Sequence, residues 1–206
     1  MASRYDYDPQ VQEAALYNYA LTLHAATFSP FAESVTVFEK FLNLFPRSRH
    51  ADTINDYLVD VYMTTRNYES ALNSINKIQH PTAKIYTAKQ RILYRLGTER
   101  FANNDLKKAA DYFTQATLLG NYDREAKADA YLWLAEGLYR EGNYAEAVKN
   151  DRLYLQTTAT ADPLAYYNLG YGYFKQHDFG EAQTQFAHYI KTETPNDCLL
   201  YTSPSP

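Results

Sequence analysis

Asp56 and Asp60 stand four residues apart in a segment with helical period, so both carboxylates fall on one helix face. Such a pair can share a cation or divide acid and base roles, provided that further ligands or a pocket surround it. Nothing in the neighbouring sequence supplies either, and the pair reads as part of a solvated face. The five histidines, His24, His50, His80, His177 and His188, sit near helix ends and turns, and no two have the i, i+3 or i, i+4 spacing that converges on a metal. Gly170-Tyr171-Gly172 has the composition of a phosphate loop but lies within a helical pattern, with no strand before it. Cys198 is the single cysteine and has no partner for an internal disulfide. Catalytic residue types are therefore present without catalytic spacing. The expectation is a non-enzymatic chain with no cofactor and no metal.

The elements that carry these residues are most legible between Ala165 and Tyr189. Tyr166, Leu169, Gly170 and Tyr173 share one helix face, and Ala182, Phe186 and Tyr189 share another. Gln176-His177-Asp178 is a short polar turn between them, so the stretch reads as two antiparallel helices. Gly170 and Ala182 are small enough for the two backbones to approach, and the aromatic residues fill the space between neighbouring hairpins.

This arrangement, a large residue, Leu-Gly and Tyr followed by Ala and Phe, resembles the tetratricopeptide repeat. Four further copies lie upstream. The small residue of each second helix is Ser34, Ala71, Ala109, Ala147 and Ala182, at spacings of 37, 38, 38 and 35 residues. The pattern predicts an all-α, right-handed α-solenoid of about five antiparallel hairpins spanning residues 10–194, at about 10–45, 50–79, 82–119, 122–157 and 162–192. Turns are expected at Thr65-Arg66-Asn67, Asn103-Asn104-Asp105 and Glu141-Gly142-Asn143. Pro9, Pro30, Pro46, Pro81, Pro163 and Pro195 fall at proposed helix boundaries; Ser29-Pro30 breaks the first hairpin, and Gly120 is placed as a helix stop. One position slips. Asp151 stands where Phe113 and Phe186 stand in their repeats, and Leu153 or Tyr154 is expected to fill the gap.

The use of 21 tyrosines against 10 phenylalanines and 1 tryptophan agrees with a repeat that places tyrosine at several positions. A net charge of −4 argues against nucleic acid as a general partner, and no apolar run has the length of a membrane span. Between Lys84 and Lys108, seven basic residues face two acidic ones, a stripe that could receive an acidic peptide segment and that otherwise reads as a solvated helix face. In such a solenoid the first helices line a concave side. The positions just off the packing face are Tyr19, Leu23, Asp56, Asp60, Arg91, Tyr94, Arg95, Trp133, Glu136, Arg140, Tyr167, Tyr171 and Lys175. Aromatic rings alternate there with charges of both signs, which suits a protein or peptide ligand. The simpler alternative is that Asp56 and Asp60 pair with Arg91 and Arg95 on the next hairpin. The Lys, Asn and Arg set by which some family members clamp a C-terminal carboxylate is missing, since Asp56 and Asp60 stand where it would lie.

Residues 38–58, FEKFLNLFPRSRHADTINDYL, look like the repeats of bacterial cell-envelope assembly proteins. That resemblance implies a periplasmic scaffold or adaptor; a true start at Met1 would instead imply the cytoplasm. A regulatory or substrate-recruiting segment of a larger enzyme is the alternative function, and self-association is a third. Helical pattern already under way at Val11, and an apolar face around Phe186, Tyr189 and Ile190, suggest further repeats in a longer chain. Residues 195–206 lack helical period and read as a non-native tail or a linker.

Overall fold

A computed structural model describes residues 8–26, 31–64 and 67–193 of the chain. The expected breaks at Ser29-Pro30 and Thr65-Arg66, and the tail with Pro195 and Cys198, lie outside the described residues. Among those described there are ten helices and no strand: α1 Pro9–Ala25, α2 Phe31–Leu44, α3 Ala51–Thr64, α4 Tyr68–Ile75, α5 Ala83–Ala102, α6 Leu106–Leu118, α7 Arg124–Arg140, α8 Tyr144–Thr157, α9 Pro163–Lys175 and α10 Phe179–Glu193. Two compact units are present, Met1–Leu96 and Gly97–Pro206.

In the N-terminal unit, α1 packs on α2, and both reach α3. Helix α1 starts at Pro9, whose missing N–H costs nothing at a first helical position, with the Asp8 carboxylate accepting from the Gln10 and Val11 amides. The core is apolar and tightly closed: Phe38, Phe41, Ile54, Leu58 and Tyr62 are fully buried. Tyr62 shares a 2.6 Å hydrogen bond with Ser74, whose hydroxyl also donates to Glu39. Burial pushes the Tyr62 phenol well above its ordinary value, so it stays neutral and acts as a packing group with one satisfied polar tip. Two of the histidines serve packing as well, His50 stacked on Tyr17 and His24 on Tyr57, each at 3.8 Å.

The C-terminal unit repeats one turn three times. After α5, α7 and α9 the chain passes through a single left-handed residue, Asn104 (φ 60), Gly142 (φ 81) and His177 (φ 63). At each, the amide of the next residue donates back five positions: Asp105 to Arg100, Asn143 to Leu138 and Asp178 to Tyr173, at 2.9, 2.9 and 3.0 Å. These Schellman turns satisfy the last carbonyls of one helix. The following residue opens the next, with Asp105 accepting from the Lys108 amide and Asp178 from the Glu181 amide. His177 is therefore a turn residue.

The two helices of a hairpin then meet where one carries no side chain. A Cβ on Gly97 would lie 2.4 Å from the Phe113 ring, and one on Gly170 would lie 2.6 Å from the Phe186 ring. The small residues of the second helices are all buried: Ser34, Ala71, Ala109, Ala147 and Ala182. Four residues further on stand Phe38, Ile75, Phe113, Asp151 and Phe186, so four hairpins put an apolar group there and the fourth in order puts a carboxyl. Ala135 takes the place of Gly97 and Gly170 opposite it. Neither neighbour closes the gap, contrary to expectation. Tyr154 turns the other way, packing with Ala128 and Ala165 and accepting a 3.0 Å hydrogen bond from the Asp162 amide, while Leu155 joins that same cluster and Leu153 remains half-buried. The result is the expected all-α fold of tetratricopeptide-like hairpins.

Gly97→Ala weighs two effects against each other. Helix propensity favours alanine by about 1 kcal/mol. Overpacking costs about 1–3 kcal/mol, and the Phe113 ring that the added carbon would meet is itself only 1% exposed. The expected outcome is a net loss of stability of up to about 2 kcal/mol by urea unfolding, recovered in part by adding Phe113→Leu.

Candidate functional site

The structure divides the thirteen expected groove residues into packed, paired, clustered and simply exposed ones. In the N-terminal unit, the Tyr19 hydroxyl donates to Glu33 at 2.6 Å, and Leu23 is half-buried. Asp56 takes Lys84 as its partner at 2.5 Å, with both side chains about half exposed. The alternative pairing of Asp56 with Arg91 is thus corrected: Lys84 is seven residues, two helical turns, nearer the start of α5, and its ammonium reaches α3 first. Asp60 and Arg91 are exposed, and the Arg95 guanidinium lies 5.9 Å from the Tyr94 ring. An exposed pair such as Lys84–Asp56 contributes about 0–1 kcal/mol.

In the C-terminal unit, Trp133 packs edge-on against Phe101 at 4.8 Å. The Arg140 guanidinium lies 4.8 Å from the centroid of the same Phe101 ring and donates to Glu136 at 2.7 Å. Trp133 and Arg140 thereby hold the α5 end against α7. Lys175 stands exposed at the end of α9.

Glu136, Tyr167 and Tyr171 come together around a cavity of about 240 Å³. Its floor is Ala135 and Asp151, and Tyr139 and Asn168 complete the lining. This is the space that a phenylalanine ring fills in the hairpins on either side. Tyr167 and Tyr171 are 38% exposed, with ring centroids 4.8 Å apart, and both lean on Phe186, at 6.0 and 5.2 Å. The neighbouring Tyr171 side chain, the largest influence, raises the Tyr167 phenol above its ordinary value. Phe186 and Tyr189 of α10 thus brace the wall from behind.

Asp151 was not among the expected site residues. Only 3% of it is exposed, and its Oδ1 has no hydrogen-bond partner. Burial first, and the Glu136 carboxylate second, push its carboxyl up to about 8. The sequence signal was a charged residue in an otherwise apolar column. No group of three or more metal-ligating side chains gathers among the described residues, and no described helix is long and apolar enough to cross a membrane.

No family profile matches the chain, and no curated protein does. Solved structures are similar to it. A crystal structure of MamA is 20% identical, covering 79% of this chain and 88% of its own, with a TM-score of 0.45. YrrB, described as a TPR protein with an unusual peptide-binding site, is 18% identical over 88% of this chain and 86% of its own, at 0.46. The C-terminal part of a TPR repeat-containing protein from Cytophaga hutchinsonii is 18% identical over 91% of this chain and 65% of its own, at 0.43.

Asp151 makes stability depend on pH. The folded chain keeps its proton up to about 8, while the unfolded chain releases it near the ordinary value of 3.8. Between those values unfolding releases a proton, so stability falls as pH rises and levels off above about 8. Asp151→Asn removes this contribution. Urea unfolding from pH 4 to 9 is expected to show the variant losing less stability than the wild type with each step up to about pH 8, by at most about 1.4 kcal/mol per pH unit, and no further difference above it.

Proposed function

We propose that the chain is a non-catalytic interaction module whose C-terminal unit receives a segment of a partner protein on the surface formed by α7 and α9. One observation carries this reading: two half-exposed tyrosines, Tyr167 and Tyr171, stand beside a cavity that contains a buried, unpartnered carboxyl. Tyrosine rings supply large contact area and lose little side-chain freedom on binding. A cavity next to them anchors one side chain of the partner while the rest of the segment lies across the rings. At about 240 Å³ it is smaller than the roughly 300–1,000 Å³ of pockets that enclose whole small molecules. That size supports a single side chain as its occupant. The likeness of residues 38–58 to envelope-assembly repeats supports a periplasmic setting, which fractionation of the native protein would test.

The site residues differ in what their removal reports. Trp133→Ala would take away a contact with Phe101 and so read packing. Tyr167→Ala with Tyr171→Ala reads the surface. Peptides selected from a random displayed library on the full chain are expected to lose about ten-fold or more of their affinity for that double variant, with helical circular dichroism unchanged. Tyr171→Ala alone is the milder control. Retained affinity in a folded double variant would place the peptide site elsewhere.

A further inference from the structure

Resting on the reading above, we infer that the cavity over Asp151 is a recognition pocket for an arginine side chain of the partner segment, its guanidinium held between the Asp151 carboxyl and the tyrosine rings. The flanking hairpins close the same place with Phe113 on Gly97 and Phe186 on Gly170. Here the ring is absent and a carboxyl, 3% exposed, stands at the bottom with Oδ1 unpartnered. A buried polar atom without a partner is costly, and the residue that carries it lines a cavity that opens beside two half-exposed tyrosines.

The surrounding groups select the ligand's chemistry. The titratable groups facing Asp151 are Glu136 and Tyr139 from α7 and Tyr167 and Tyr171 from α9. None of these four is a cation. Arg140 reaches Glu136 with its own side chain about half exposed and spreads over Phe101, so its charge is directed to that side. The pocket is thus acidic in its depth and aromatic on its walls. An anion would meet two carboxyls. A hard metal ion would need about six oxygen ligands where rings stand instead. A planar guanidinium can donate two parallel hydrogen bonds to one carboxylate and lay its face on a tyrosine, which an ammonium cannot do in the same geometry. Free arginine brings an α-carboxylate close to Glu136, whereas an arginine within a peptide carries neutral amides there. A peptide arginine is the better match.

Binding then couples to the proton on Asp151. The empty pocket holds that carboxyl in its neutral form, and the arriving cation is best served by the ionised one, so one proton leaves as the guanidinium enters. Affinity is expected to climb as pH rises toward about 8 and to level off beyond it.

The test uses the full chain and small probes in titration calorimetry at pH 8. N-acetyl-arginine N-methylamide is expected to bind, with about half a proton released at this pH, where the empty pocket's Asp151 is about half ionised, when the heat is compared across buffers of different ionisation enthalpy. The citrulline counterpart, the same shape without the charge, is expected to bind about ten-fold more weakly or worse, and free L-arginine more weakly than the blocked amide. Asp151→Asn is expected to lose about thirty-fold or more. Ala135→Val, which fills the floor and leaves the carboxyl in place, should lose binding as well, so a folding defect in one variant does not decide the matter. Equal binding of the arginine and citrulline probes, no binding of the arginine probe, or unchanged affinity in folded Asp151→Asn would each overturn the inference. Selected peptides that need Tyr167 and Tyr171 but tolerate Asp151→Asn would overturn it while leaving the interaction surface itself standing.

Discussion

The contact on which the rest depends is the approach of two helix backbones within a hairpin, at a point where one helix has no side chain and the other supplies a ring. Gly97 under Phe113 and Gly170 under Phe186 are the clearest instances, with distances that leave no room for one added carbon. Such a contact sets the spacing of a hairpin, and the spacing sets which residues of the first helix face outward. The Schellman turns at Asn104, Gly142 and His177 follow from the same requirement, because only a sharp reversal brings the second helix back at that distance.

Against this background the hairpin of α7 and α8 is informative. It keeps the turn, the small residue Ala147 and the short connection, yet it replaces ring on glycine by Asp151 opposite Ala135. Removing a ring leaves a space, and placing a carboxyl in it leaves a buried group that resists ionisation. Both changes work against stability, and a solenoid built for packing alone would use phenylalanine here. Departures from a local rule concentrate where a chain does something besides fold. Tyr167 and Tyr171, held from behind by Phe186 and Tyr189, give the space a wall that reaches solvent.

Legibility differed from residue to residue for reasons of distance along the chain. The turns were written locally, since Asn, Gly and Asp at these points have few alternatives. The small residues at 34, 71, 109, 147 and 182 were also readable, because a period persists even when individual repeats vary. Asp151 could be seen to break its column, but not that Tyr154 would turn toward Ala128 and leave the gap open. Nor could the partner of Asp56 be read. Lys84 and Arg91 are both on α5, and which one reaches α3 depends on the rotation of one helix about its axis relative to another. Trp133, expected on an exposed face, meets Phe101 instead by the same kind of angular difference.

What the sequence by itself determined is the class of object: helices in antiparallel pairs, turned at particular residues and packed through particular small ones. Those features arise from spacings of three to five residues and from backbone preferences of single residues, which hold whatever surrounds them. The tertiary structure alone decided which side chains converge. A cavity floored by Ala135 and Asp151 and walled by Tyr167 and Tyr171 needs three helices at fixed offsets, and small rotations of any one would close it. Spacing names the face a residue is on, and packing decides what that face meets.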